Sequence, residues 1–267
     1  MNNNRVDFSY PLEHKVVISP SWLLGFVEAE GSFCVTKLLE PAFAIALNEK
    51  ESSVIQGIKE FLIENLNFDD HSKWKIKESG LIGIHNQNAR GTTKGAVRII
   101  IRNISILNNY LIPFFSSLEF KSKKGLDFSD FKLICKNIFI GAHLNEEIKV
   151  LLLKLINTMN NNRLSNSKKP YIAMTNNELV LLNKMEPIYK HSSDGSVINM
   201  NTGKKVSQYS IYVLTYENGD IKRVSTRDEI ASELNVSLTT ISKHLNINSE
   251  GVTFKNCHVR KIGVFSK

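Results

Sequence analysis

The sequence predicts an α+β fold followed by a smaller unit made of a β-hairpin and a helix-turn-helix, and three patterns carry that prediction. Period-2 alternation recurs between residues 31 and 102, apolar positions trading with polar or basic ones as in half-exposed antiparallel strands. Those runs are interrupted and followed by stretches with helical spacing, such as Val54, Ile55, Ile58, Phe61 and Leu62. Farther on, Asn218-Gly219 separates two short β-rich runs, and two capped helical segments follow. The 267 residues can supply a core to this arrangement. The expected division is 1–163 for the first domain, 164–204 for a linker or bridging segment, and 205–267 for the helix-turn-helix unit.

The first helix is the best-signalled element. Ser19 offers a capping hydroxyl and Pro20 fits the first helical position. Leu23, Leu24, Phe26 and Val27 make the helix apolar almost all round, so burial on most sides is expected. Gly25 and Ala29 lie four apart on one face and would admit another backbone. Gly31 is expected to end the helix as a C′ glycine, before a strand from Ser32. Glu28 and Glu30 occupy the last turn, where the helix dipole disfavours acids by a few tenths to about 1 kcal/mol. At about 100° per residue their carboxylates point to opposite sides. The spacing fits either an exposed helix end or a carboxylate beside the Gly31 carbonyl that attracts a hard divalent cation.

The nine residues from Leu23 to Gly31, Leu-Leu-Gly-Phe-Val-Glu-Ala-Glu-Gly, with Ser32-Phe33 after them, resemble the signature of the LAGLIDADG homing endonucleases. The departures are Leu24 for Ala, Phe26 for Leu, Val27 for Ile, and Glu for both Asp. The resemblance implies an αββαββα fold with a saddle-shaped sheet, and a motif helix that forms the interface between two such units. It implies that Glu30, with Gly31, binds a catalytic Mg²⁺ or Mn²⁺ ion. A single copy of the motif implies a homodimer in which Leu24, Gly25, Glu28 and Ala29 meet their symmetry mates.

Beyond the motif, Phe33, Val35 and Lys37 form the packed set of the first strand, and Ser32, Cys34 and Thr36 the set available to a partner. Pro41 breaks the run, Ala42–Leu47 returns, and a helix covers Glu51–Leu62. Asn48 stands where the resemblance implies a water-positioning residue; it also fits a cap on the following helix. Strands are expected at 72–77, carrying Lys75, at 81–87, carrying His85 and Gln87, and at 95–102, carrying Arg98 and Arg102. The turn at 88–94 carries Arg90. Such a sheet suits a major groove, with arginine and glutamine for base edges and lysine for phosphates, although an unliganded half-exposed sheet alternates in the same way. A helix is expected over 104–115. The segment 118–128 resembles the family's basic residue before a Lys-x-x-Asp-Phe helix start, with Lys124 the best match and Lys123 and Lys121 as alternates. Helices at 129–140 and 145–158 complete the first domain, and the polar run 160–169 reads as linker.

In the tail, a helix over 178–184 precedes turn-rich sequence. A hairpin spans 211–224, and helices begin after Thr226 and at Ser237. Ser237, Thr239, Thr240 and Lys243 would face a groove. This portion resembles the modular DNA-binding repeats found behind intron-encoded nucleases, including a trailing strand over 254–262.

Net charge +8 suits a polyanionic partner. No apolar run approaches membrane length, so no membrane partner is expected. Cys34, Cys135 and Cys257 are too few and too far apart for a disulfide framework or a zinc site. The N-terminus lacks a secretory core, and the Asn-, Ile- and Lys-rich composition resembles that of AT-rich organellar genes. The expected compartment is an organelle interior, mitochondrial matrix or chloroplast stroma, ahead of the cytoplasm. The expected function is metal-dependent double-strand cleavage of a long, roughly palindromic DNA site. The alternatives are a splicing maturase that binds intron RNA and a non-catalytic transcriptional regulator.

Overall fold

The computed structural model of the chain describes residues 17–89, 94–163, 173–247 and 251–265. Ser19 Oγ accepts from Trp22 N at 3.1 Å and opens α1 (Pro20–Glu30). Only Leu23 and Val27, four apart, are buried; Leu24 and Phe26 are half-buried. The helix is therefore sunk along one stripe, and the expectation of burial on most sides is corrected.

Gly31 is no left-handed C′ residue. Its φ of −73° and ψ of 154° make it the first residue of β1 (Gly31–Val35). Glycine is needed there because a Cβ would come within 2.7 Å of Val27 Cγ1 and Val27 O. The helix thus turns into the strand with no intervening loop.

β2 (Pro41–Asn48) pairs antiparallel with β1, from Gly31 opposite Ile45 to Val35 opposite Pro41. Pro41 begins this strand, where a missing N–H is tolerated, and does not interrupt one. Lys37, expected on the packed face, is exposed in the turn.

The stretch 72–77 is helical. Asp69 Oδ1 accepts from the N–H groups of His71 and Ser72, both at 2.9 Å, and starts α3 (Asp70–Ser79); Gly80, at φ 63°, ends it. Ser72 and Ile76 are its buried pair, and their spacing of four is the helical period. Before it, α2 (Ser52–Asn65) buries Ile55, Ile58, Leu62 and Ile63. β3 (Ile82–Gln87) and β4 (Ala96–Ile101) complete an antiparallel sheet of order β1-β2-β4-β3.

One face of this sheet is apolar. Phe33, Phe43, Ile45, Ile82, Val97, Ile99 and Ile101 are buried under the helices. Phe33 of β1 gathers an aromatic cluster there, with ring centroids 5.2–5.9 Å from those of Phe43, Phe115, Phe128 and Phe131. The covering helices include α4 (Ile104–Ile106) and α5 (Ile112–Ser116), joined by wide π turns at Leu107–Leu111. Pro113, which has no N–H to donate, follows directly. α6 (Lys124–Phe139) and α7 (Glu146–Ile156) finish the layer.

The expected linker is folded where it is described. Asn160–Arg163 forms a 3₁₀ turn fixed to α6. Residues 164–172 lie outside the described residues. α8 (Asn176–Asn183) starts with a Thr175/Glu178 capping box, and its Leu182 is fully buried in the main core. A three-stranded sheet follows, β5 (Tyr189–His191), β6 (Ser196–Asn199) and β7 (Lys205–Gln208), where only turns were expected.

The C-terminal unit has the expected hairpin, β8 (Ser210–Tyr216) and β9 (Ile221–Val224), with Gly219 at φ 87°. Then come α9 (Arg227–Leu234) and α10 (Leu238–Ile247), separated by a left-handed Asn235. The trailing strand is two strands, β10 (Val252–Phe254) and β11 (Cys257–Gly263), in a sheet of order β10-β11-β8-β9. No helix among the described residues is long and apolar enough to cross a membrane.

Candidate catalytic centre and nucleic-acid interface

Two of the residues singled out from the sequence, Gly31 and Lys124, are joined at the end of α1, next along the chain to a third, Glu30. Glu30 is exposed, and no hydrogen bond or ion pair engages it among the described residues. The Gly31 carbonyl beside it accepts a hydrogen bond from Lys124 Nζ at 2.8 Å. Lys124 is the first residue of α6, so its position follows from the packing of α6 against β1. Of the alternates, Lys121 pairs with Glu119, and Lys123 is exposed.

Glu28 is turned elsewhere. One of its oxygens accepts from the N–H groups of Lys121 and Ser122, each at 2.7 Å. Partial burial opposes ionisation, yet the Ser122 and Lys121 donors win and hold the carboxyl below its ordinary range. The two acids of the last turn therefore divide their work: Glu28 ties down the loop before Lys124, and Glu30 is left free.

Asn48 ends β2 and its Oδ1 accepts from Lys50 N at 3.1 Å, which is the capping arrangement.

The outer face of the sheet is ordered in rows, small or apolar in one and basic in the next. Ser32 lies opposite Ala44, which lies opposite Ile100 and then Gly83. The next row runs Ala46, Arg98, His85. Arg98 donates from its guanidinium to Gln87 Oε1, and His85 and Gln87 are both exposed. Arg102 is exposed just past β4. Cys34 donates to Ala42 O at 3.3 Å; burial pushes its thiol up against the opposing influence of Ser32 and Arg102. Thr36 lies past β1, where its Oγ1 accepts from Leu38 N and Glu40 N and holds the turn. Ala42, Ala44 and Ala46 place three small side chains of β2 on this face, beside Ser32 and Cys34 of β1.

Two expectations for this face change. Lys75 is on α3 and not on the sheet, and its Nζ donates to Ser225 Oγ of the C-terminal unit at 2.8 Å. Arg90 lies outside the described residues. In the helix pair, Ser237 Oγ accepts from Thr240 N at 3.2 Å and so caps α10, and it also meets Thr240 Oγ1 at 2.8 Å. Thr239 and Lys243 are exposed.

The small-residue face of α1 is open. Gly25 and Ala29 are exposed, and a Cβ added at Gly25 would meet nothing within 4 Å. Leu24 is half-buried at its margin. Trp22 and Phe26 stack alongside with centroids 4.8 Å apart and were not singled out from the sequence, although their i, i+4 spacing was readable.

A supporting network was also missed. Asp127, one turn into α6 from Lys124, accepts from Asn160 N at 2.9 Å and from Arg163 Nε at 3.0 Å. Arg163 also reaches Asp130, and Asn160 Nδ2 donates to Phe33 O at 3.0 Å. Burial raises the Asp130 carboxyl against the pull of Arg163. This turn joins α6 to β1, and so joins Lys124 to Gly31 and Glu30.

Fold and site together define an α+β protein in which an acidic helix end stands at the edge of a polar antiparallel sheet. Residues 23–135 match the family model for LAGLIDADG endonucleases. Among curated proteins, the chain is 24% identical over 249 residues to the uncharacterized mitochondrial protein RF1 of Saccharomyces cerevisiae, covering 90% of this chain and 52% of that one. It is 29% identical over 140 residues to the probable intron-encoded endonuclease 2 of Neurospora crassa, covering 49% of this chain and 26% of that one. The chain thus spans about half the length of one relative and about a quarter of the other. Among solved structures, the LAGLIDADG homing endonuclease I-GzeII in complex with its DNA target aligns at TM-score 0.46 and 24% identity, over 59% of this chain and 49% of that one. The archaeal intron-encoded homing endonuclease I-Vdi141I, complexed with DNA, aligns at TM-score 0.40 and 24% identity, over 62% and 94%.

Proposed function

We propose that this protein is a site-specific DNA endonuclease that acts as a homodimer on a long, roughly palindromic target. The observation that carries the reading is the meeting of a free Glu30, the Gly31 carbonyl and the Lys124 ammonium inside the family-matched stretch. The polar sheet face with Arg98, Gln87, His85 and Arg102 supplies the base-reading surface, and Thr239 and Lys243 extend it from α10.

A divalent cation suits the donors at the end of α1. A carboxylate and a backbone carbonyl are hard oxygen ligands of the kind Mg²⁺ or Mn²⁺ takes. A second copy, brought against the Gly25/Ala29 face with Trp22 and Phe26 at its rim, would add its own Glu30. Two such carboxylates repel one another unless a cation lies between them. The bound ion would supply Lewis acidity toward the phosphodiester and its attacking water. Glu30 would hold that ion, and Lys124 would offer positive charge toward the phosphate as negative charge develops. Asn48 positions water from the end of β2.

The proposed setting is an organelle interior, in keeping with the mitochondrial and intron-encoded relatives. The test is cleavage of an intronless copy of the host locus by purified protein with Mg²⁺, compared with Glu30→Gln. Binding by both with cleavage by the unmodified protein alone is expected. Specific binding with no cleavage by the unmodified protein would favour a regulator. Preference for the host intron RNA, with splicing stimulated, would favour a maturase.

A further inference from the structure

The C-terminal unit does not hang from a tether. β8 is shared by two cores: Ile211 and Val213 belong to the main one, while Tyr212 and Leu214 belong to that of the C-terminal unit. At the far end of β11, Phe265 is 2% exposed and sits in the main core near Phe68. Its backbone is held at both ends. The Phe265 N–H donates to the fully buried Ser72 Oγ at 3.0 Å, and its carbonyl accepts from Asn109 Nδ2 at 2.9 Å. A third attachment lies on α3, where Arg223 Nε donates to His71 Nδ1 at 3.1 Å and Lys75 bonds Ser225.

The position of these anchors matters. α3 leads through Gly80 and Leu81 into β3, and β3 is the edge strand farthest from β1 and the end of α1. The unit that carries α10 is therefore fixed to α3, the helix that leads into β3, and to the π turn at Asn109. A flexible linker would let two DNA-binding units accommodate different separations on a duplex; a docked pair cannot.

We propose that the docked C-terminal unit makes the protein a ruler, which accepts only one spacing between the DNA segment under the sheet and the segment contacted by α10. The proposal rests on the DNA-binding reading above. Each inserted base pair moves the flank along the axis and around it, with about 10 base pairs to a full turn of about 34 Å, so an insertion of five turns the flank to the opposite side of the duplex.

Two measurements test it. In the first, DNA footprints are recorded on the natural target and on versions with one to five base pairs inserted at the inner border of the flanking footprint, that border being mapped with Thr239→Ala and Lys243→Ala. The intact protein should lose flank protection and about tenfold or more in affinity at five base pairs. Phe265→Ala should keep both within about threefold. The double variant Ser72→Ala/Asn109→Ala, which removes the two backbone clamps together with the Ser72–Asp69 and Asn108–Asn109 side-chain bonds and keeps the Phe265 ring, serves if Phe265→Ala does not fold. Equal tolerance of the insertion by intact protein and undocked variant overturns the ruler while leaving DNA binding standing.

In the second, spin labels are placed at Asn88→Cys and Thr239→Cys in a Cys34→Ser background, without DNA and with the labelled chain diluted into an excess of unlabelled protein so that only distances within one protomer are read. One narrow distance distribution is expected, broadened by Phe265→Ala. A broad distribution in the unmodified chain overturns fixed docking. A narrow distribution in a protein that binds no DNA overturns the nuclease reading and leaves the docking intact.

Discussion

The ammonium of Lys124 donates to the carbonyl oxygen of Gly31 at 2.8 Å. α1 ends with two acids in its last turn and no basic residue there, an arrangement that opposes its dipole. Lys124 supplies the missing cation from another helix, and the same bond brings the start of α6 to the residue that follows Glu30. Replacing Lys124 by Met should lower cleavage by about 10²- to 10³-fold while DNA affinity changes little. Single-turnover cleavage and gel-shift titration measure the two separately. Unchanged cleavage would move the role to Lys123 or Lys121.

Two glycines six residues apart should respond oppositely to the same change. At Gly31 the new methyl would press on Val27 Cγ1 and Val27 O at 2.7 Å, so Gly31→Ala should destabilise the protomer by about 1–3 kcal/mol. At Gly25 there is open space, and alanine should leave the protomer intact or add up to about 1 kcal/mol through helix propensity. Gly25→Leu should instead weaken self-association by obstructing the close approach of α1 to its mate. Urea unfolding and sedimentation equilibrium give the two readings; a Gly25→Leu protein that dimerises as tightly as the original would place the dimer surface elsewhere.

What was readable in the sequence was set by how local its cause is. Ser19, Pro20 and the Leu23/Val27 stripe fix α1 within a dozen residues, and Asn218-Gly219 and Thr226 fix the hairpin and α9 in the same way. Residues 72–77 failed because six residues of alternating lysine and apolar side chains fit both periods. The signals that decide for helix, the Asp69 cap and Gly80, lie outside that window. Asn160–Arg163 looked like linker because its partners are remote: Asp127 and Asp130 precede Arg163 by 36 and 33 residues. The Phe265 clamp on Ser72 spans 193 residues and leaves no local trace at either end. At the candidate site the same division holds. The Glu30-Gly31 joint is local and was legible, whereas the choice of Lys124 among three lysines depends on how α6 meets β1.

Arg98 and Gln87 act on the outer face of the sheet as one unit. The glutamine oxygen accepts from the guanidinium and orients its remaining donors, and in a major groove such a fork matches the O6 and N7 of guanine. Arg98→Ala should cost about 1–3 kcal/mol and abolish preference at one base position in each half-site. Gln87→Ala should blunt preference at that same position, with a smaller loss of affinity. Binding to a library randomised across the half-site shows both effects. Loss of preference at two unrelated positions would mean that the residues read bases independently.

The attachment of α8 to α7 sets a pH dependence. Lys154 Nζ bonds both carboxylate oxygens of Glu178 at 2.8 Å, and the Thr175 N–H adds a third donor. The lysine contact first, then the Thr175 amide, brings the Glu178 carboxyl down from its ordinary 4.5 to about 2. A folded-state value below the unfolded one means that the unfolded chain binds the proton more readily. The contribution of this pair is therefore complete above about pH 4.5 and is lost as the pH falls toward 2. Both side chains are partly accessible to solvent, so screening keeps the effect modest and salt-sensitive. Urea unfolding of the unmodified protein and of Glu178→Gln should differ at pH 6, converge as the pH drops below 4, and differ less at 1 M salt than at 0.05 M. A gap that persists unchanged at pH 3 would assign the stabilisation to the capping box, which glutamine preserves only in part, and not to the charge on Glu178.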